Sequence, residues 1–189
     1  MEIELLGSGL LRQKAEPVQP IGHEYRKIAD DMIDMLHAGK GVGLAGPQVG
    51  LMKRIFVVHI EGSAPLVFIN PSIIGTSQEL TRYEEGCLSI PGIWAEIERP
   101  ASVRIQAWNA QGKPFTLDAE GILARVIQHE NDHLEGVLFI DRLPEGKRNK
   151  VIAKYERRAA GGGKAVPGKN GGVPGAEKTG RAAARAGDS

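Results

Sequence analysis

The stretch ILARVIQHENDHLE, residues 122–135, constrains the fold more than any other part of the chain. Its period is helical, and Ile122, Val126, His129 and His133 recur on one face. Two apolar residues lead into two imidazoles on that face, so the face points inward. A buried helix that carries two imidazoles and a carboxylate needs partners for all three. The rest of the chain must wrap this helix and supply them.

HENDH, residues 129–133, fits H-E-x-x-H. On a helix, positions i and i+4 share a face, so His129 and His133 can bind one metal ion. Glu130 is turned by about 100° from His129. It can reach a water on that metal without being a ligand. Two imidazoles plus an acid beside a bound water is a hydrolytic design. Such a site needs a third protein ligand and an open position. Downstream the candidates are Glu135 and Asp141, as in a zincin-type peptidase. Upstream the candidate is Cys87 in EGCLS, where Gly86 lets the backbone fold close. A thiolate is a strong ligand for a first-row divalent metal. The residues by themselves leave these third ligands open. The plain alternative is a chance match on a solvated helix, with Cys87 a small buried hydrophobe.

The first six residues of GVGLAGPQVG, residues 41–50, imitate the dinucleotide fingerprint G-x-G-x-x-G. That fingerprint needs a strand before the glycines and a helix after them. Here a helical pattern precedes and a strand pattern follows, so no nucleotide cofactor is expected. The glycines instead let something approach the backbone closely. Gln48, at the end of the loop, is a held amide with two N–H donors.

The remaining pattern is α+β. Residues 21–38 read as an amphipathic helix, and residues 53–60 as a strand. Residues 65–69 and 72–74 read as two short strands broken at Asn70-Pro71, and residues 78–89 as a weak strand. SVRIQAWN and KPFTLD form a hairpin around Ala110, Gln111 and Gly112. Asp118 is the expected N-cap of the HENDH helix, with Glu120 in its first turn and Gly136 ending it. A basic helix follows over residues 145–158. The expected architecture is therefore short, mostly antiparallel strands packed around a central helix carrying HENDH, then a C-terminal helix. Residues 1–158 form the expected catalytic domain. Residues 159–189, rich in Gly, Ala and charge, form an expected disordered tail.

GVGLAGPQVG, EGCLS and QHENDHLEG, in this order and spacing, resemble the signature of the peptide deformylases. The resemblance runs from LLRQKAEPV to HLEGVLFIDRL and departs at Gly46, where the family usually has alanine. It implies an enzyme that removes the formyl group from N-formyl-Met nascent peptides and releases formate. It implies that Cys87, His129 and His133 hold one divalent metal, Fe(II) by family habit, with Zn(II), Ni(II) or Co(II) as substitutes. Glu130 is then the general base and later the acid. Gln48 and the backbone N–H of Leu88 face the developing oxyanion. Val42, Gly43, Tyr83, Ile122 and Val126 are candidates for the apolar methionine pocket. Asp132 is expected to pair with Arg99 and so anchor the helix.

Charge and composition bound the partners. Up to Asp141 there are 12 Lys and Arg against 19 Asp and Glu, whereas residues 142–158 carry 7 basic against 2 acidic residues. An acidic body thus ends in a basic extension. A solvated helix explains this, and so does contact with a polyanion such as ribosomal RNA. For an enzyme of nascent chains, Lys147, Arg148, Lys150, Lys154, Arg157 and Arg158 are the expected ribosome-contacting residues. A vestigial site in a ribosome-binding module is the third reading. The single cysteine excludes an internal disulfide. No run approaches the roughly 18 apolar residues of a membrane span, and the N-terminus lacks a signal-peptide pattern. A cytoplasmic monomer is the expectation.

Overall fold

The computed structural model describes residues 1–160. In chain order the elements are α1 (Glu24–Ala38), β1 (Gly43–Ala45), β2 (Ile55–Val58), β3 (Leu66–Thr76), β4 (Leu80–Cys87), β5 (Ile90–Pro100), β6 (Ser102–Trp108), β7 (Pro114–Glu120), α2 (Gly121–Leu134) and α3 (Glu145–Ala160). Strands β1, β2, β3, β6 and β7 form one antiparallel sheet in the order β1-β2-β3-β6-β7. Strands β4 and β5 form a separate antiparallel pair. The expected α+β class, with antiparallel strands around the HENDH helix, is the observed one.

The continuous apolar run of β2 follows from its place. Side chains alternate across a strand, and this sheet is covered on both faces. Phe56 and Val58 join Phe68, Val103 and Ile105 beneath α2. Ile55 and Val57 join Ile69 beneath Met32 and Leu36 of α1. A third cluster joins Ile90, Ile93 and Ile97 of β5 to Phe139 and Ile140, with Ile152 and Tyr155 of α3 packed against it.

Three expectations are corrected. Residues 65–74 are not two strands but part of one, because a bulge absorbs Asn70-Pro71. Asn70 sits at φ 48°, and its amide pairs with the backbone N–H and C=O of Val18 at 2.8 and 2.9 Å. Asp118 does not cap α2. Its strand continues to Glu120, and its carboxylate takes Arg104 across the ladder at 2.6 and 2.7 Å. β5 was not foreseen, since Pro91 and Gly92 at φ 73° interrupt its alternation. The basic helix runs two residues past its expected end, to Ala160. The rest of the expected disordered tail lies outside the described residues.

The two sheets meet at one end. There the Ser77 N–H donates to the Ser102 carbonyl at 3.0 Å, and the Ala101 N–H to the Glu79 carbonyl at 2.9 Å. At the other end of the β4–β5 pair lie Cys87 and Ile90. Helix α2 packs against both sheets, touching β1, β2, β6 and β7 on one side and β5 on the other.

Gly136 ends α2 as expected, at φ 73°. The Val137 N–H closes onto the Asp132 carbonyl at 2.9 Å, and the Gly136 N–H onto His133 at 3.2 Å. A Cβ on Gly136 would lie 2.7 Å from the Arg12 carbonyl oxygen. Gly136→Ala is therefore expected to cost about 2 kcal/mol. Calorimetry should show the melting temperature falling by about 4–8 °C.

Candidate metal centre and its cleft

Three segments bring the donors together. Cys87 ends β4, at the tight turn into β5. His129 and His133 lie one turn apart on α2, both facing that turn. One ligand atom from each of Cys87, His129 and His133 lies within 4.8 Å of the others, and Cys87 Sγ is 3.3 Å from His133 Nε2.

Glu85 orients the first imidazole. Its Oε2 accepts from His129 Nδ1 at 2.9 Å, which leaves Nε2 free to coordinate. Burial works against ionisation of Glu85, but hydrogen bonds from His129 and Arg99 outweigh it and hold the carboxyl far below the usual carboxylate range. Arg99 donates to both Glu85 oxygens at 2.7 and 2.9 Å and to Asp132 at 2.7 Å. The expected Arg99–Asp132 pair is thus present, and Arg142 completes it with two bonds of 2.6 Å to Asp132. Arg125 adds a third cation, 3.0 Å from Glu85.

The donor set fits a metal. Burial, with the charges of His129 and Arg99, lowers the His133 pKa well below its ordinary value and keeps that ring neutral, as a ligand must be. Burial also disfavours charge on His129, but Cys87 and Glu85 more than offset it and raise its pKa. A thiolate and two imidazoles suit iron, zinc, nickel or cobalt.

Glu135 and Asp141 are engaged elsewhere. Glu135 pairs with Arg54 at 2.6 Å and Lys14 at 3.2 Å. Asp141 pairs with Arg12 and accepts the Leu138 N–H at 2.8 Å. Neither belongs to the Cys87, His129 and His133 group.

Cys87 and His129 floor a cleft that Gln48 and Glu130 also line, with His133 buried behind them. Gln48 sits on a 3-10 turn, Gly46–Val49, not on the long helix that a nucleotide loop requires. Its amide is fixed at both ends. Oε1 accepts the Ala45 N–H at 2.8 Å, while Nε2 donates to Ser89 Oγ at 3.2 Å and lies 3.4 Å from Cys87 Sγ. Glu130 is buried, and its Oε2 has no partner among the described residues. Burial raises its pKa to about 7 despite the nearby His129 and Arg99 charges.

A family model described as polypeptide deformylase matches residues 1–149. The chain belongs to the polypeptide deformylase family. The peptide deformylase of Rhizobium meliloti is 44% identical over 159 residues, spanning 82% of this chain and 91% of the relative. That of Borreliella burgdorferi is 48% identical over 158 residues, spanning 83% and 96%. Among solved structures, the peptide deformylase of Synechococcus elongatus in complex with actinonin superposes with a TM-score of 0.79 at 42% identity, covering 82% of this chain and 86% of that one. The peptide deformylase of Thermus thermophilus gives 0.77 at 40% identity, covering 84% and 92%.

Of the pocket candidates in this deformylase chain, Val42, Gly43 and Val126 line the cleft, as does Leu88. Tyr83 and Ile122 are not among the lining residues. Tyr83 is exposed beneath the Arg125 guanidinium, 5.3 Å from its ring centre, and Ile122 packs on the sheet cluster. Trp94 and Arg125 form cleft wall that the sequence did not indicate. Glu85 and Ser89 also escaped assignment, although both flank Cys87 in EGCLS.

Gly43 has a steric reason to be glycine. A Cβ there would lie 2.3 Å from Glu130 Oε1 and 2.7 Å from Val126 Cγ1. Gly43→Ala should lower kcat/KM by on the order of 100-fold by displacing the carboxylate, with metal content unchanged by elemental analysis. Glu85→Gln should weaken metal binding by about 10–100-fold, read as faster loss of the ion to a competing chelator.

Proposed function

We infer that this chain is a peptide deformylase that hydrolyses the N-formyl group of formylmethionine at the start of nascent polypeptides and releases formate. One observation carries the reading. A buried Glu130 carboxyl, its Oε2 without a partner among the described residues, and a fixed Gln48 amide line the same cleft as Cys87 and His129, which cluster with His133 behind it.

We assign Fe(II) as the native ion of these donors, with Zn(II), Ni(II) and Co(II) as substitutes. When bound, such an ion acidifies water and polarises the formyl carbonyl. Glu130 takes the water proton on its carboxylate and returns it to the departing amine, which is otherwise a poor leaving group. A carboxyl with a pKa of about 7 is suited to hold that proton between the two steps. Gln48 Nε2 and the Leu88 N–H donate to the formyl oxygen as it gains charge, each worth about 3 kcal/mol. β1 is an edge strand, so its free side can align an extended peptide beside Gly43. Val42 and Val126 support the methionine side chain.

The residues in these roles all come from one chain, which suits a monomer. The substrate places the work in the cytoplasm, where ribosomes present nascent chains. Among the described residues no helix is long and apolar enough to cross a membrane.

The test is formate release from formyl-Met-Ala-Ser by protein purified without air. Wild type should turn over, and Glu130→Gln should lose at least about 1000-fold while retaining metal. Cys87→Ser or a strong chelator should abolish turnover together with bound metal. Metal retention without formate release by wild type would sink the substrate assignment.

Ribosome contact is assigned to α3. Lys147, Lys150, Lys154 and Arg157 are exposed there, and none has an ion-pair partner among the described residues. Arg148 is half-buried, and Arg158 bonds the Gly92 carbonyl at 3.2 Å. Changing the four exposed cations to Ala should weaken cosedimentation with ribosomes by about tenfold and flatten its salt dependence. Tripeptide deformylation should be unaffected.

A further inference from the structure

We propose that residues 3–6 form a positioning strap that holds the Gln48 amide in register with the Cys87 side of the cleft. The need for one follows from the topology. Gln48 follows β1 of the five-stranded sheet, whereas Cys87 and Ser89 lie at the β4–β5 turn of the other sheet. The two sheets are joined by backbone bonds at the end remote from Cys87. At the cleft α2 packs against both sheets, and a direct tie between the Gln48 turn and the β4–β5 turn sets the finer register.

The N-terminal segment spans that gap. The Glu4 N–H donates to the Gln48 carbonyl, and the Leu6 N–H to the Ser89 carbonyl, both at 2.8 Å. Ile3 packs against the α1 cluster, which contains Leu44 and Val49. Leu6 packs against the β5 cluster, beside Cys87. Leu5, between the two donors, is exposed. Each sheet thus receives one hydrogen bond and one apolar anchor from the strap.

The two residues it grips are the two whose side chains meet. Gln48 Nε2 donates to the buried Ser89 Oγ at 3.2 Å. Strap and side-chain bond form a closed loop through Gln48 and Ser89, with the backbone carbonyls held on one side and the side chains joined on the other. Releasing the strap leaves the side-chain contacts of Gln48 Nε2, 3.2 Å to Ser89 Oγ and 3.4 Å to Cys87 Sγ, to fix the amide against the Cys87 turn. The residues of the strap touch no reacting atom. They act through Gln48.

Proline lacks the N–H, so Glu4→Pro deletes the strap bond to Gln48 while Glu4→Ala keeps it. This inference rests on Gln48 serving as a donor to the formyl oxygen, and a double-mutant cycle separates the two claims. Glu4→Pro should lower kcat by about tenfold, with KM for formyl-Met-Ala-Ser and metal content within about twofold of wild type. Glu4→Ala should match wild type. In a Gln48→Ala background the proline should cost less than about twofold more. Ser89→Ala, which opens the other side of the loop without touching the strap, should also lower kcat by about tenfold. An equal proline effect in both backgrounds overturns the strap and leaves the role of Gln48 intact. So does kcat within twofold of wild type in Glu4→Pro or Ser89→Ala. Wild-type kcat in Gln48→Ala alone overturns the role of Gln48 and the strap with it.

Discussion

Everything at this site hangs on one carboxylate. Glu85 is buried on β4 and accepts hydrogen bonds from Arg99 on β5 and from Arg125 and His129 on α2. A buried carboxylate survives only with such company. In return it fixes the ring of His129 and locks the β4–β5 pair to the helix. Asp132 repeats the pattern one turn further on, between Arg99 and Arg142. Removing any one partner strands a charge in an apolar interior. The network therefore sets geometry more than it adds net stability.

Around that anchor the fold assigns each chemical task to a different backbone device. The helix presents two imidazoles at i and i+4. The last residue of β4 delivers the thiol sulfur, and a 3-10 turn after an edge strand delivers the amide. A glycine without a Cβ makes room for the acid. The donors are more than 40 residues apart in sequence, from Cys87 to His129. Their meeting depends on the way two sheets grip one helix.

Much of this was legible in the sequence, for identifiable reasons. HENDH is read from helical spacing alone. Gly136 announced the end of α2 because its conformation excludes other residues. Arg99 with Asp132 was readable as a support for an inward-facing helix. Other features were hidden. Glu85 and Arg125 looked like ordinary charges, because one sequence does not reveal that both are buried together. β5 was missed because Pro91 and Gly92 break its alternation, and Trp94 was lost with it. Asp118 had the residue type of a cap, but its cross-strand partner Arg104 competed for it. Tyr83 and Ile122 had suitable side chains. Their directions were set by sheet and helix packing that no local pattern encodes.

The joint between the sheets has a mechanical consequence. Ser77, Glu79, Ala101 and Ser102 close it with a few backbone bonds, and the Ser77 hydroxyl oxygen accepts one more from the Ser102 N–H at 3.1 Å. From there β4 runs its eight residues to Cys87, a lever of about 25 Å. A rotation of about 2° at the joint moves the far tip by nearly 1 Å, roughly the error at which positional catalysis loses two orders of magnitude. Four backbone positions at the corner remote from Cys87 thereby act as the fulcrum that sets where the Cys87 side of the centre sits.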